Sequence, residues 1–572
     1  MQSETSSSQI IRFGTFELDV RGGELRKQGV RIKLQEQPLR ILELLLAHPG
    51  QLITREELRD RLWPSDTFVD FDHGLNKAIA KLRETLGDSA DNPRFIETLA
   101  KRGYRFLESP AARTPEPSIA VLPFLSLSAD PENELFADGI TEEIISTLAQ
   151  IKNLHVVART SSFSLKGKYL DLRMVGKQFD VSTVLEGSVR KSGDQLRITA
   201  QLVGAADGYH LWSQQYDRDL KDIFAIQKEI AQSIAQTLEL SLDSESQPLA
   251  RGGTESLEAF KLYLKGRVLF FQRGGQLIPA IECFRKAVAV DPKYGLAWSG
   301  MADAYNFLGF YGLAKPGACL PQAKAAAQRA VALDPAVAEA HTSLAASYLF
   351  GDWDRAGAER EFLRSLELKP HNSSARCWYG LFSLQWMAGR FEEGLAQLKQ
   401  AVRIDPLSAY VRAILAFAYL PIDGAKCVET ALESLQIAPD SYLGRWAQMT
   451  GLNLQGHLTE AAEIGELTLK TFGRPIWVMG SLARTYARMG RHADSKALYM
   501  ELRWRAERDY VSPTFLALAA HAAGERDEAI RLAQEAHTIG DPTFVGVKYW
   551  PDHAELREDP RFQEILKARG WT

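Results

Sequence analysis

Hydrophobic and polar positions change rhythm twice along the chain, marking three stretches with different patterns. Residues 10–107 read as short strands, three helices and a closing hairpin. Pro38 through Leu46 predict the first helix, and Thr54-Arg55-Glu56-Glu57-Leu58 opens the second. The third, LNKAIAKLRETLGD, has Asp72 as its expected N-cap. At about 100° per residue, Leu75, Ile79, Leu82 and Leu86 share one narrow apolar stripe. The opposite side carries Lys77, Ala80, Lys81 and Glu84, with Asn76 and Arg83 on its flanks. Lys101-Arg102-Gly103 is expected at the hairpin turn before GYRF, the glycine allowing a tight bend and both cations pointing outward.

Residues 118–243 alternate strands and helices. IAVLPFLSL is a buried-strand run, ITEEIISTLAQI an amphipathic helix and LHVVAR a second strand. From Val181 the pattern predicts hairpin strands, with turns at Ser192-Gly193-Asp194 and Ala206-Asp207-Gly208. IFAIQKEIAQSIAQTLEL closes the stretch as a helix. Residues 255–572 then read as helix after helix, rich in alanine. Helix-ending prolines fall there at Pro292, Pro335, Pro370, Pro406 and Pro439, spaced by 43, 35, 36 and 33 residues. In the best unit Trp378, Leu381, Gly394, Leu398 and Ala401 precede Pro406 in phase; Ala280, Phe284 and Ala287 precede Pro292 likewise. Trp298, Met301, Ala302 and Tyr305 begin the next unit, where an insertion around GFYGLAKPG accounts for the long spacing. These marks resemble tetratricopeptide (TPR) repeats, about eight of them, in which small residues let paired helices approach and proline ends the second helix.

Length and charge narrow the picture. A chain of 572 residues exceeds one core. A formal charge of −4 means that any contact with nucleic acid must come from a local basic patch. Cys283, Cys319, Cys377 and Cys427 are scattered singly, without a CxxC pair or Cys/His cluster, and read as buried thiols in a reducing cytoplasm. MQSETSSSQIIRF has no basic segment followed by an apolar one, and LRILELLLAHPG is broken by Arg40, Glu43 and Pro49, so no membrane association is expected. The sequence shows no P-loop, dinucleotide glycine motif, HExxH or nucleophile elbow, so no enzymatic activity, catalytic residue, cofactor or metal is expected. His155 and His210 read as structural.

The first stretch, from RFGTFELDV to KRGYRF, resembles the OmpR/PhoB-type winged-helix family over essentially that whole fold. The resemblance implies that the third helix enters the major groove of double-stranded DNA. Asn76, Lys77, Ala80, Lys81, Arg83 and Glu84 suit that role: long donors for guanine or phosphate, an amide for adenine and a small residue for close approach. Glu84 either accepts from a cytosine amino group or is simply solvated. The same resemblance puts the wing in the minor groove, with Lys101 and Arg102 as the candidates for contacts there. Thr54 and Arg55, at the start of the second helix, suit phosphate contacts through the helix N-terminus and their side chains. In the family the loop corresponding to Pro64–Asp72 contacts RNA polymerase; here that contact and a plain connecting loop both stay open. The domain is nearly neutral, so affinity is expected to be modest unless two copies bind together. The middle stretch, with IAVLPF, FADGITEEI and VLEGSVR, resembles the N-terminal domain of TolB-like proteins, which implies an α/β fold without a settled activity.

The expected architecture is multidomain: a winged helix-turn-helix (α+β) at 8–107, a linker at 108–117, a small α/β domain at 118–243, a linker at 244–254, an all-α TPR solenoid at 255–541 and a capping segment at 542–572. With no receiver domain ahead of the first strand and no span after the winged helix, a one-component cytoplasmic transcription regulator is expected. Its input would be a protein or peptide on the concave TPR face. A TPR scaffold whose winged helix makes only protein contacts is the alternative.

Overall fold

The computed structural model describes residues 10–13, 16–20, 22–27, 30–32, 34–62, 71–89, 93, 95–99, 102–107, 117–128, 130–149, 151, 154–168, 171–238, 240 and 253–568. The chain divides into two compact units, Met1–Glu116 and Pro117–Thr572. Among the described residues no helix is long and apolar enough to cross a membrane.

The first unit opens with an antiparallel sheet of β1 (Ile10–Phe13), β2 (Phe16–Asp19), β3 (Glu24–Lys27) and β4 (Val30–Ile32), in that order. Then come α1 (Glu36–Ala47), β5 (Leu52–Thr54), α2 (Arg55–Leu62), α3 (Phe71–Leu86), β6 (Ile96–Leu99) and β7 (Gly103–Phe106). A second sheet, ordered β5-β7-β6, is antiparallel throughout. Phe13, Phe16, Phe95 and Phe106 join the two sheets; Phe106 meets Phe13 edge-on at 5.3 Å and stacks on Phe95 at 6.1 Å. Three sequence expectations shift. Asp72 lies inside α3, which begins at Phe71. Thr54 ends β5 rather than joining α2. Gly103 is the first residue of β7 rather than the bend: a Cβ there would stand 2.0 Å from the Ile53 carbonyl oxygen. The close approach of β5 demands the glycine.

In the second unit a mixed sheet runs β10-β8-β11-β12-β13. Its elements are β8 (Ser118–Val121), β9 (Leu125–Ser126), α4 (Pro131–Leu148), β10 (His155–Val156), α5 (Arg159–Phe163), α6 (Leu172–Phe179), β11 (Thr183–Ser192), β12 (Gln195–Gly204), β13 (His210–Asp219) and α7 (Ile223–Thr237). Both hairpin turns fall where the sequence places them, while α5 and α6 escape it because neither is long enough to show a period.

Eight helical hairpins follow among the described residues: α8 (Leu257–Gln272) with α9 (Leu277–Val290), α10 (Gly295–Phe310) with α11 (Pro316–Leu333), α12 (Ala338–Ser347) with α13 (Arg355–Leu368), α14 (Ser373–Trp378, running on through a π-helical stretch to Met387) with α15 (Phe391–Ile404), α16 (Ala409–Tyr419) with α17 (Gly424–Ile437), α18 (Tyr442–Gln455) with α19 (Leu458–Thr471), α20 (Ile476–Arg488) with α21 (His492–Ala506), and α22 (Pro513–Ala522) with α23 (Arg526–Ile539). The short α24 (Ala554–Arg557) and α25 (Pro560–Lys567) end the described chain. Each of the five periodic prolines stands two residues past the end of a second helix. Six residues further on, Trp298, His341, Arg376, Arg412 and Arg445 each donate a side-chain hydrogen bond back to that proline's carbonyl, at 2.8–3.1 Å. The repeat therefore pairs the proline carbonyl between hairpins with the first helix of the next hairpin. All four cysteines are buried thiols.

Two features of this unit bear on function. The sheet and the helices share one core: Ile140 and Ile144 of α4 and Ile230 of α7 belong to the same buried cluster as Phe260, Tyr263 and Leu264 of α8. Polar contacts reinforce it. Glu142 bridges Arg159 at 2.8 Å and Arg267 at 2.9 Å, and the Ser161 N–H and hydroxyl both donate to the buried Asp405 carboxylate. The inner faces of the first helices also meet one another. Phe310, Phe382, Trp386, Phe417, Trp446 and Trp477 are in ring contact, and Trp550, from the segment after α23, stacks among them at 5.0 Å from Trp386 and 5.5 Å from Trp446. These rings thus form one aromatic cluster built from hairpins far apart in the chain.

Candidate nucleic-acid interface

The site is built on α3. Leu75, Ile79, Leu82 and Leu86 are at most 3% exposed, and Ala78 joins them, so the apolar stripe anchors the helix in the first unit's core. Sixteen residues long, the helix turns its other face outward: Asn76, Lys77, Ala80, Lys81 and Glu84 are all exposed. Lys81 donates to Glu84 at 2.9 Å, one helical turn on.

Two polar contacts hold α3 against its neighbours. Near its start, Asn76 Oδ1 accepts from Arg55 Nη2 at 3.2 Å and from the Tyr104 hydroxyl at 3.1 Å, tying α3 to α2 and β7. Arg55 also lies over the Tyr104 ring and donates to its hydroxyl at 3.3 Å. Near its end, Arg83 Nη2 donates to the Ile96 carbonyl at 2.7 Å and to Thr98 Oγ1 at 2.9 Å. Arg83, expected on the reading face, is engaged with the hairpin. Its guanidinium fixes the angle between α3 and β6.

Thr54 is engaged as well. Its N–H and hydroxyl donate to Glu57 Oε2 at 2.8 and 3.0 Å, while the Glu57 N–H donates back to Thr54 Oγ1 at 3.2 Å. This is a capping box on α2, and the two Thr54 bonds hold the Glu57 carboxyl below its ordinary range. Arg102 is exposed in the hairpin turn, and its carbonyl accepts the Arg55 N–H at 3.1 Å. Lys101 and residues 63–70 of the connecting loop lie outside the described residues. The structure thus brings Lys77, Ala80, Lys81 and Glu84 onto one surface beside the exposed Asn76, whose Oδ1 is held by Arg55 and Tyr104, and turns Thr54 and Arg83 to internal bonds. Tyr104 was missed as a positioning residue. Its place in GYRF marks the end of the wing and carries no sign of the partner on α3. Thr54-x-x-Glu57, by contrast, is a legible capping signal.

Residues 29–106 match the family model described as "Transcriptional regulatory protein, C terminal", and residues 115–233 match "HilA/YgeH-like transcriptional regulator, second domain". The chain is 37% identical over 243 residues to "Putative adenylate cyclase 3" of Rhizobium meliloti, a match covering 42% of this chain and 41% of that protein. It is 23% identical over 422 residues to the transcriptional regulator HilA of Salmonella typhimurium, covering 70% of this chain and 72% of that one. Among solved structures it is similar to the DNA-binding domain of Klebsiella pneumoniae RstA in complex with the RstA box, at 28% identity and a TM-score of 0.16, covering 17% of this chain and 97% of that chain. The middle stretch, expected to be TolB-like, thus finds its match in the HilA/YgeH second domain. Residues 29–106 are a winged-helix domain of the transcriptional-regulator type, and a HilA/YgeH-like domain follows it in the chain.

Proposed function

We propose that the protein is a sequence-specific, one-component transcriptional regulator that binds double-stranded DNA in the cytoplasm. The observation that carries this is the outward face of α3. Exposed Lys77 and Lys81 flank the small Ala80 there, opposite a fully buried stripe, on a helix anchored near both ends to neighbouring elements. In this reading Lys77, Lys81 and Arg102 meet phosphate or guanine, Asn76 and Ala80 face base edges, and Glu84 tunes the charge of the face. Arg83, Tyr104 and Thr54 are positioning residues. Arg55 shares that role and supplies a cation beside the backbone, and Lys101 joins Arg102 at the wing. The second unit is the input end, through a protein partner or through assembly of two copies. A TolB-like character for the sheet domain and a polymerase contact by the loop after α2 belong to the same proposal. The cyclase activity in the Rhizobium protein's name is not carried to this chain.

The test is binding of the full chain to duplexes selected from a random library. Affinity should fall steeply with salt and depend on sequence, and Lys77→Ala with Lys81→Ala should abolish the preference. Binding without salt dependence, or none at all, would instead support a TPR scaffold whose winged helix contacts protein.

A further inference from the structure

A cleft of about 630 Å³ opens where the α8–α9 turn and the end of α10 approach the α19–α20 loop and the end of α21. These segments are some 200 residues apart in sequence, and Trp477 Nε1 closes the floor by donating to the Tyr311 carbonyl at 3.3 Å. The volume is that of a small-molecule pocket, too small for a helix or an extended peptide of useful length.

Its chemistry has two components. Flat rings form the walls, among them Tyr311, Tyr442, Phe472 and Trp504, and the Trp504 indole is 55% exposed to solvent although aromatic side chains are costly to leave in water. Cations form the rim: Arg474, Arg505 and Arg508 stand against Asp509 alone among the lining carboxylates. Behind the rim Glu501 accepts from Arg474 at 2.8 and 2.5 Å and from Arg505 at 2.5 Å. One carboxylate shared by two guanidinium groups fixes their planes and leaves that trio one positive charge, while Arg508 pairs with Glu507 at 3.6 Å and donates to the Trp504 carbonyl at 2.9 Å. Arg508 lies 4.0 Å over the Trp504 ring and covers one of its faces, so a ligand ring would stack on the other.

The backbone is also set for the purpose. Gly473 and Arg474 are consecutive left-handed residues, at φ +70° and +60°, and the second carries a full side chain. Arg505 Nη1 holds this turn by donating to the Arg474 carbonyl at 2.9 Å. A strained residue locked by the side chains it helps to present is characteristic of binding sites.

We infer that this cleft binds a small aromatic anion of mononucleotide size, its ring stacked against Trp504 or the tyrosine wall and its phosphate held by Arg508 and the Arg474–Arg505 pair. The ligand's role as an input to DNA binding rests on the function proposed above, whereas the binding itself does not, so it is measured without DNA.

The experiment uses the full chain and reads quenching of tryptophan fluorescence and the rise in Tm. The probes are AMP, GMP, CMP and UMP, with indole-3-acetate as an aromatic carboxylate, inorganic phosphate, and adenosine as an uncharged ring. At least one nucleoside monophosphate should raise Tm and saturate the quenching with Kd at or below about 1 mM. Arg508→Gln and Trp504→Ala, both at exposed positions that leave the core intact, should each weaken it about tenfold or more. Tighter binding of indole-3-acetate than of any nucleotide would overturn the phosphate assignment. The cleft would not be the site if adenosine bound as well as AMP, if phosphate alone sufficed, if both variants bound like the parent, or if no probe bound.

Discussion

Glu84 offers the sharpest test of the α3 face, because it is the one acidic side chain on a surface proposed to meet a polyanion. Its carboxylate holds the Lys81 ammonium at 2.9 Å, with both side chains at least half exposed. A surface pair of this kind is worth about 0.2–1 kcal/mol, which Lys81 must give up before it can bind phosphate. Glu84→Gln removes that cost, so affinity for a selected duplex should rise by about 1.4- to 5-fold. It also frees a cation, and each neutralised phosphate adds about 0.9 to the slope of log K against log salt. Lys77, exposed beside it, should behave oppositely: Lys77→Ala lowers the slope by about 0.9, which over a fourfold range of salt is a factor of about 3.5. Fluorescence anisotropy of a labelled duplex across a salt series measures both quantities. Weaker binding by Glu84→Gln, or an unchanged slope in Lys77→Ala, would refute this account of the face.

The remaining predictions concern how the units are held. Arg83→Met should destabilise the first unit by about 1.5–3 kcal/mol, since it removes two charge-assisted bonds to the hairpin, and should lower DNA affinity while leaving the salt slope unchanged; a reduced slope would make Arg83 a phosphate contact. His553 is buried, and desolvation reinforced by Arg557 and Arg484 pushes its imidazole down to about 3. Its neutral form is favoured in the fold, so its contribution is complete above the unfolded pKa of 6.5 and declines as pH falls; from pH 7 to 5 it costs about 2 kcal/mol. His553→Leu should shrink the Tm difference between those two pH values, and an undiminished difference would assign the acid sensitivity elsewhere. Truncation after residue 245 should yield an aggregating sheet domain, whereas a cut between the two units, at Glu116, should leave the winged helix folded, as thermal unfolding of each fragment will tell.

What the sequence made legible follows the range of the interactions. The Leu75–Leu86 stripe and the proline spacing are local, period-bearing patterns, and both correspond to elements of the structure. Thr54-x-x-Glu57 was equally local but was assigned to phosphate contact, because a hydroxyl at a helix start suits either role. Arg83 could not be placed from spacing alone. At its angle on α3 it borders both the charged face and the hairpin, and only the position of Ile96 and Thr98 decides between them. The shared core of the sheet and helices was hidden for another reason. Ile140 and Leu264 each read as the buried side of an amphipathic helix, and nothing in the pattern says which surface buries them. The aromatic cluster depends on Phe310 and Trp477, which meet across 167 residues of chain, and on Trp550, which reaches Trp446 across 104.

These contacts limit how a signal can travel. Undocking the sheet from α8 would uncover the buried Phe260, Tyr263 and Leu264 of that helix. At about 1.5–3 kcal/mol for each side chain this costs about 4.5–9 kcal/mol, before the Glu142 bridge and the Asp405 contacts are counted. Coupling free energies between sites are typically about 1–3 kcal/mol. A ligand cannot supply the difference, so Pro117–Thr572 responds as one body and not by releasing its sheet. The cleft offers a cheaper response. Its walls come from segments some 200 residues apart in the chain, and a ligand of the kind inferred above would bridge them without opening the core.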